Sequence, residues 1–196
     1  MISHFFAYLS RMKLIGRWGL MHNMCAENIQ EHSLQVAQIA HALAVLKRKQ
    51  TGLGPDPEKV LGMAIYHDVG EVLTGDIATP IKYFNPEINQ AYGQIENYAK
   101  KRIFELIPKE LQESFREIFF YEDGDPETRR LIKAADKLSA LFKCLEERRM
   151  GNNEFFEAEK AIFSELEKME MPEVTYFIEV FVPSLSLSLD SMRPEP

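Results

Sequence analysis

The chain has 196 residues, of which 45% are hydrophobic and 27% charged, and a net charge of −7. That balance excludes a disordered chain, a collagen-like fibre and a mucin-like stalk, and the length fits one domain with its own core. The acidic balance argues against binding of long nucleic acid, which needs a broad cationic surface, but leaves room for a small phosphate ligand.

No stretch approaches the ~18 uninterrupted apolar residues of a membrane helix. The opening MISHFFAYLSRMKLIGRW lacks a cationic start and a small-residue cleavage site, so it reads as mature protein rather than a signal peptide. Two cysteines, Cys25 and Cys144, are too few for a disulfide framework, and a reducing, cytoplasmic setting is the expectation.

In chain order the spacing predicts helix after helix. Phe5, Phe6, Leu9 and Met12 give residues 3–14 a broad apolar face, and a loop over 16–25 follows. From 28 to about 48, Leu34, Val36, Ile39, Ala40, Leu43 and Leu46 suit a buried helix face. TGLGPDP at 51–57 is a linker; Asp56 caps a helix that has Pro57 at its first position and runs to about Val69. Gly75 and Pro80 break the stretch 70–85. Asn85 caps a helix ending near Pro108, and a short one covers 108–119. Asp125 caps a helix that Gly151 stops near Met150. Asn153 opens another, ending before Pro172, and the last apolar helix, 173–189, contains Pro183 and should kink or break there. Period-two alternation appears only over 184–189. Lys100-Lys101-Arg102 and EERR at 146–149 read as solvated helix faces, and Tyr176, Phe177 and Phe181 as core or interface. The expectation is all-α: a single-domain helical bundle over 1–190 with a short tail at 191–196.

Four candidate metal ligands, His32, His67, Asp68 and Asp136, fall at predicted helical positions. Asp68 ends a nearly all-apolar helix, where a buried carboxylate needs a partner, and a divalent cation is one. Imidazoles with carboxylates form a mixed N/O site for Mn, Fe, Co, Ni or Zn rather than Ca. Each residue also has a plain structural reading: Asp136 has Lys133 and Lys137 as neighbours. His4, His22 and His41 fall outside the ligand pattern, and no Cys or Ser nucleophile stands near it.

Taken together, ENIQEHSLQVA, AIYHDVGEVLTGD and KAADKL resemble the HD-domain phosphohydrolase superfamily. With SHFFAYLSRMKLIGRW, GNNEF and FIEVFVPSLSLSLD, the chain is similar over most of its length to bacterial 5′-deoxynucleotidases of the YfbR type. The resemblance implies an HD-domain bundle that hydrolyses deoxyribonucleoside 5′-monophosphates by direct attack of metal-bound water. It implies one divalent transition metal, cobalt, manganese or similar, on His32, His67, Asp68 and Asp136, four residues of which His32, Asp68 and Asp136 also border the substrate. Arg17 would hold the phosphate, and Trp18 would stack near the sugar and favour deoxyribose. Asp76, Ile77, Ala78 and Thr79 would line the nucleotide pocket, and Glu71 would act close to the metal. A homodimer is also implied, with neither a nucleic-acid polymer nor a membrane as partner.

The chemistry is coherent on its own terms. A bound metal ion lowers the pKa of water from ~15.7 towards ~7, and Arg17 adds stabilising charge in the transition state. Asp68 or Glu71 takes the water proton; Asp76 or Glu71 protonates the leaving O5′. Two alternatives stand beside this reading. One is another HD-type nucleotide phosphohydrolase, either a dNTP triphosphohydrolase or a phosphodiesterase. The first needs more cations than Arg17 and Lys82 supply. The other is a non-catalytic helical interaction protein.

Overall fold

The computed structural model describes residues 2–82 and 84–193, and every regular element among them is helical. The polar caps explain where the long helices start. Asn28 accepts from the N–H groups of Gln30 and Glu31 and opens α2, Ile29–Thr51; α1 is the short Phe5–Leu9. Asp56 does the same for α3, Pro57–Ile65, with Pro57 already set to a helical φ. Two short helices, α4 at Glu71–Thr74 and α5 at Thr79–Lys82, occupy the broken stretch. Asn85 caps α6, Pro86–Glu105, and Asp125 caps α8, Pro126–Arg149; α7, Lys109–Phe119, lies between them. The chain ends with α9, Phe156–Lys168, and α10, Pro172–Phe181.

The main core lies where α2, α3 and α8 pack together, closed by α9 and α10, with Val36, Ala40, Leu43, Val60, Leu131 and Leu138 fully buried. A second cluster joins Phe5, Val69, Ile103, Phe104, Ile107 and Phe119 on α1, α6 and α7. No helix is long and apolar enough to cross a membrane among the described residues.

Several expectations need correction. Leu34 is exposed, because Val36 is wholly buried and positions two apart lie ~200° apart around a helix. Phe6 is exposed for the same kind of reason, since α1 has one turn and points Phe5 inward. The third helix ends at Ile65, so His67 and Asp68 sit in a tight turn rather than on a helix: the His67 N–H donates to the Ala64 carbonyl, and that of Glu71 to the Asp68 carbonyl. The stretch 184–189 runs from one 3-10 turn, Val182–Ser186, through extended Leu187 and Ser188 into another, Leu189–Met192, and the described residues offer no strand for it to pair with. Lys100 is buried, paired with Glu122 and over the Tyr121 ring. In the EERR run, Glu147 has no solvent exposure at all.

Glu147 ties α8 to the loop between α1 and α2. Its carboxylate accepts from Lys143, from the N–H groups of Met24 and Cys25, each at 3.0 Å, and from Asn152 Nδ2 at 2.8 Å. Burial opposes its ionisation, but these donors outweigh burial and draw it from 4.5 down to about 2. A depressed carboxylate contributes stability above its unfolded value and loses it as pH falls towards the folded one. Glu147→Gln is therefore expected to cost about 3–5 kcal/mol at neutral pH, because it strands Lys143. Urea unfolding at several pH values checks this: the gap to the unmodified protein should close as pH falls from about 5 to 2.

Candidate active site

Three chain segments bring the candidate ligands together. His32, one turn into α2, is completely buried. The turn after α3 supplies His67 and Asp68, and α8 supplies Asp136. One ligand atom each from His32, His67 and Asp68 lies within 4.8 Å of the others. His32 Nε2 is 3.0 Å from Asp136 Oδ1 and 3.5 Å from Asp68 Oδ2; His67 Nε2 is 3.0 Å from Asp68 Oδ2.

The ring nitrogens argue that a cation belongs here. The Ala64 carbonyl, 2.8 Å from His67 Nδ1, only accepts, so Nδ1 carries a proton and a neutral ring presents a lone pair at Nε2. Nε2 of both His32 and His67 is buried without a hydrogen-bond partner, and each lies 3.0 Å from a carboxylate oxygen. Two unsatisfied imidazole nitrogens facing two carboxylates fit a divalent transition metal. Ser139, one turn beyond Asp136 on α8, lies 3.0 Å from His32 Nδ1 and donates to Gln35 Oε1 at 2.6 Å. Held by Gln35, Ser139 packs against the His32 ring and fixes its position, as outer partners of metal-binding histidines do.

The electrostatics follow from crowding. Burial disfavours the Asp68 carboxylate, yet His67, His32 and Arg17 hold it well below the usual range. Burial likewise opposes Asp136, and His32 and then His67 draw it down. Glu71 goes the other way: burial, then Asp68 and Asp76, push it up to about 10, so it carries a proton at neutral pH. Asp76 is also raised, by burial first, against the pull of Arg17 and the Trp18 N–H.

Arg17 and Trp18 come from the loop between α1 and α2. The Arg17 N–H donates to the Glu27 carbonyl and the Ile29 N–H to the Ile15 carbonyl, which pinches the loop shut at its base. Arg17 Nη1 reaches Glu27 Oε2 at 2.9 Å and His32 Nδ1 at 2.6 Å. Trp18 has φ +61°, a strained conformation for a bulky residue. Its N–H donates to Asp76 Oδ2 at 3.3 Å, and its ring leans on Phe155 at 5.3 Å. Asp76 thus meets the site through Trp18. Ile77 and Ala78 follow half-buried in the same segment, without a described contact to the cluster. Thr79 opens α5, and its side chain lies outside the described residues. A cleft of 340 Å³ opens beside His67, Asp68 and Glu71 and reaches Lys82, Asn97 and Lys100. A larger groove of 1060 Å³ runs between α3, α6 and α7 and contains none of these site residues.

Sequence reasoning missed Glu27, Gln35, Ser139 and Glu147. A usable signal existed on α8: Asp136, Ser139, Lys143 and Glu147 recur at helical spacing along one face. His22 is exposed and pairs with Glu154, 2.9 Å away, apart from the cluster. Ser139→Ala is expected to weaken divalent-metal binding ~10–100-fold while leaving the fold intact. Titration calorimetry of metal-stripped protein with manganese or cobalt measures it, and an unchanged affinity contradicts this account of the ring.

The YfbR-like 5′-deoxynucleotidase family matches residues 4–185. A curated 5′-deoxynucleotidase of Vibrio cholerae serotype O1 is 48% identical over 97% of this chain and 98% of its own. Among solved structures, an HD-domain phosphohydrolase of Listeria innocua superposes with a TM-score of 0.79 at 24% identity, over 93% of this chain and 88% of that one. A cyanophage S-2L HD phosphohydrolase, solved with dA and one catalytic zinc ion, gives 0.66 at 20%, over 94% and 99%. The two structures share the fold; the family match and the Vibrio relative carry more, and on them the chain belongs to the YfbR-like 5′-deoxynucleotidase family.

Proposed function

We propose that this protein is a metal-dependent 5′-deoxynucleotidase that hydrolyses deoxyribonucleoside 5′-monophosphates to deoxyribonucleoside and phosphate. The observation that carries the reading is the pair of buried, unpartnered Nε2 atoms facing Asp68 and Asp136, with the Arg17 guanidinium beside them. His32, His67, Asp68 and Asp136 hold one divalent transition metal. Bound there, the ion neutralises phosphoryl charge and lowers the pKa of water.

The chain's own groups do the rest. Arg17 turns its remaining donors to the phosphate and stabilises charge that grows as the P–O5′ bond breaks. Asp68 or Glu71 accepts the proton of the attacking water, and Asp76 or Glu71 supplies one to the departing O5′. Oxygen from water ends on phosphorus, and the nucleoside leaves as its alcohol. Trp18 lies against the sugar and disfavours a 2′-hydroxyl, and 76–79 line the nucleotide pocket.

The protein acts as a cytoplasmic homodimer in this reading. Both cysteines are free thiols, which supports a reducing compartment. Exposed Tyr176, Val180 and Phe181 at the end of α10 support a partner surface there. Residues 191–196, of which 194–196 lie outside the described residues, are read as a tail after the catalytic domain, and a family match that stops at 185 supports this.

The test is phosphate release by metal-stripped protein from dAMP, AMP, 3′-dAMP and dATP, each with cobalt, manganese, magnesium or no metal. The expected result is metal-dependent release from dAMP alone, lost in Asp68→Ala. Arg17→Ala is expected to lower turnover of dAMP ~100–1000-fold. Release from dATP instead moves the chain to the triphosphohydrolases, and no release from any of them overturns the proposal.

A further inference from the structure

We propose that Glu27 is a positioning residue that locks Arg17 and Trp18 into one unit, so that grip on the phosphate and discrimination at the sugar are set together. The inference deepens the functional reading above and rests on it for its kinetic consequences. Its geometry stands independently. One carboxylate oxygen, Glu27 Oε2, accepts from Arg17 Nη1 at 2.9 Å and from Trp18 Nε1 at 3.0 Å. Both Glu27 and Arg17 side chains are only 14% exposed. The Glu27 backbone carbonyl also takes the Arg17 N–H, so the residue holds its partners through main chain and side chain alike.

The chemistry favours a carboxylate at this point. A guanidinium and an indole N–H are donors only, and two converging donors need an acceptor with no hydrogen of its own. An ionised oxygen satisfies both with charge-assisted bonds; an amide offers one weaker acceptor and turns an NH₂ towards a donor. Trp18 also needs holding, because φ +61° is strained for a bulky residue. The Glu27 bond fixes the ring edge, Phe155 packs against the ring at a tilt, and Asp76 takes the backbone N–H. On Arg17, Nε and Nη2 make no hydrogen bond among the described residues and remain for a ligand. Glu27 therefore does not touch substrate; it sets the angle of the two side chains that do.

The chain contains a single tryptophan, so emission excited on the red edge beyond tyrosine absorption reports on Trp18 alone. The experiment compares the full-length protein with Glu27→Gln, nearly the same in shape. Expected in the variant are a red-shifted emission maximum, a fall in kcat/KM for dAMP of ~10–100-fold, and a dAMP-to-AMP preference that drops towards one. The melting temperature should stay within about 4 °C, which separates positioning from loss of fold. If Glu27→Gln melts far lower, Glu27→Asp is judged on the same readouts, with a smaller shift and a partly restored preference expected. Unchanged emission, or a loss of rate with the dAMP-to-AMP preference intact, overturns the proposal. If the unmodified protein hydrolyses neither nucleotide, the functional reading fails, and the emission alone decides whether Glu27 holds the indole.

Discussion

The site depends on burial of His32. Its ring has no solvent exposure, and its two nitrogens face different partners. Nδ1 meets Arg17 and Ser139; Nε2 meets Asp68 and Asp136. A buried imidazole with groups facing both nitrogens fixes where the loop, the turn after α3 and the face of α8 can lie, and its Nε2, left without a hydrogen bond, faces the two carboxylates. With Glu71 and Asp76 nearby, four carboxyl groups gather around the Arg17 guanidinium, and Lys82 acts on Glu71 from the cleft beside them. A divalent ion is the simplest way to balance that set, and balancing it makes hydrolytic chemistry available.

Helix α8 works as a ruler for this arrangement. Asp136, Ser139, Lys143 and Glu147 follow one another at spacings of three and four residues and so share a face. At ~1.5 Å per residue the row runs about 16 Å, from the metal cluster to the base of the loop that carries Arg17 and Trp18. Glu147 grips Met24 and Cys25, Lys143 lies over the Phe155 ring, and Phe155 supports Trp18. A rigid helix thereby sets the distance between the His/Asp cluster and Arg17, although the arginine comes from a loop.

Much of this was legible in the residues. Asn28, Asp56, Asn85 and Asp125 are polar caps ahead of apolar runs, and each opens a helix because its side chain bonds the first free N–H groups. The four candidate ligands carry a pattern that survives any uncertainty about helix ends. The misreadings share a cause: local pattern does not report tertiary partners. Lys100 and Glu147 looked like surface charges, yet Glu122 and Lys143 allow them to be buried. Glu27 precedes the cap of α2 with no motif of its own, and only the folding back of the loop brings Arg17 and Trp18 to it. Residues 184–189 alternate as a strand does, but an alternating segment needs a neighbour to pair with.

The most direct measurement of the central claim is the metal stoichiometry of the purified chain, read together with its thermal stability. Metal-stripped protein should take up one manganese or cobalt ion per chain, and its melting temperature should rise with the free metal concentration because only the folded state holds the site. Asp136→Asn should weaken both effects, since it removes one charge from the set that the ion balances. A chain that binds no divalent ion, or one whose stability is indifferent to it, contradicts the account: the buried imidazoles and half-buried carboxylates would then be paired for the fold alone.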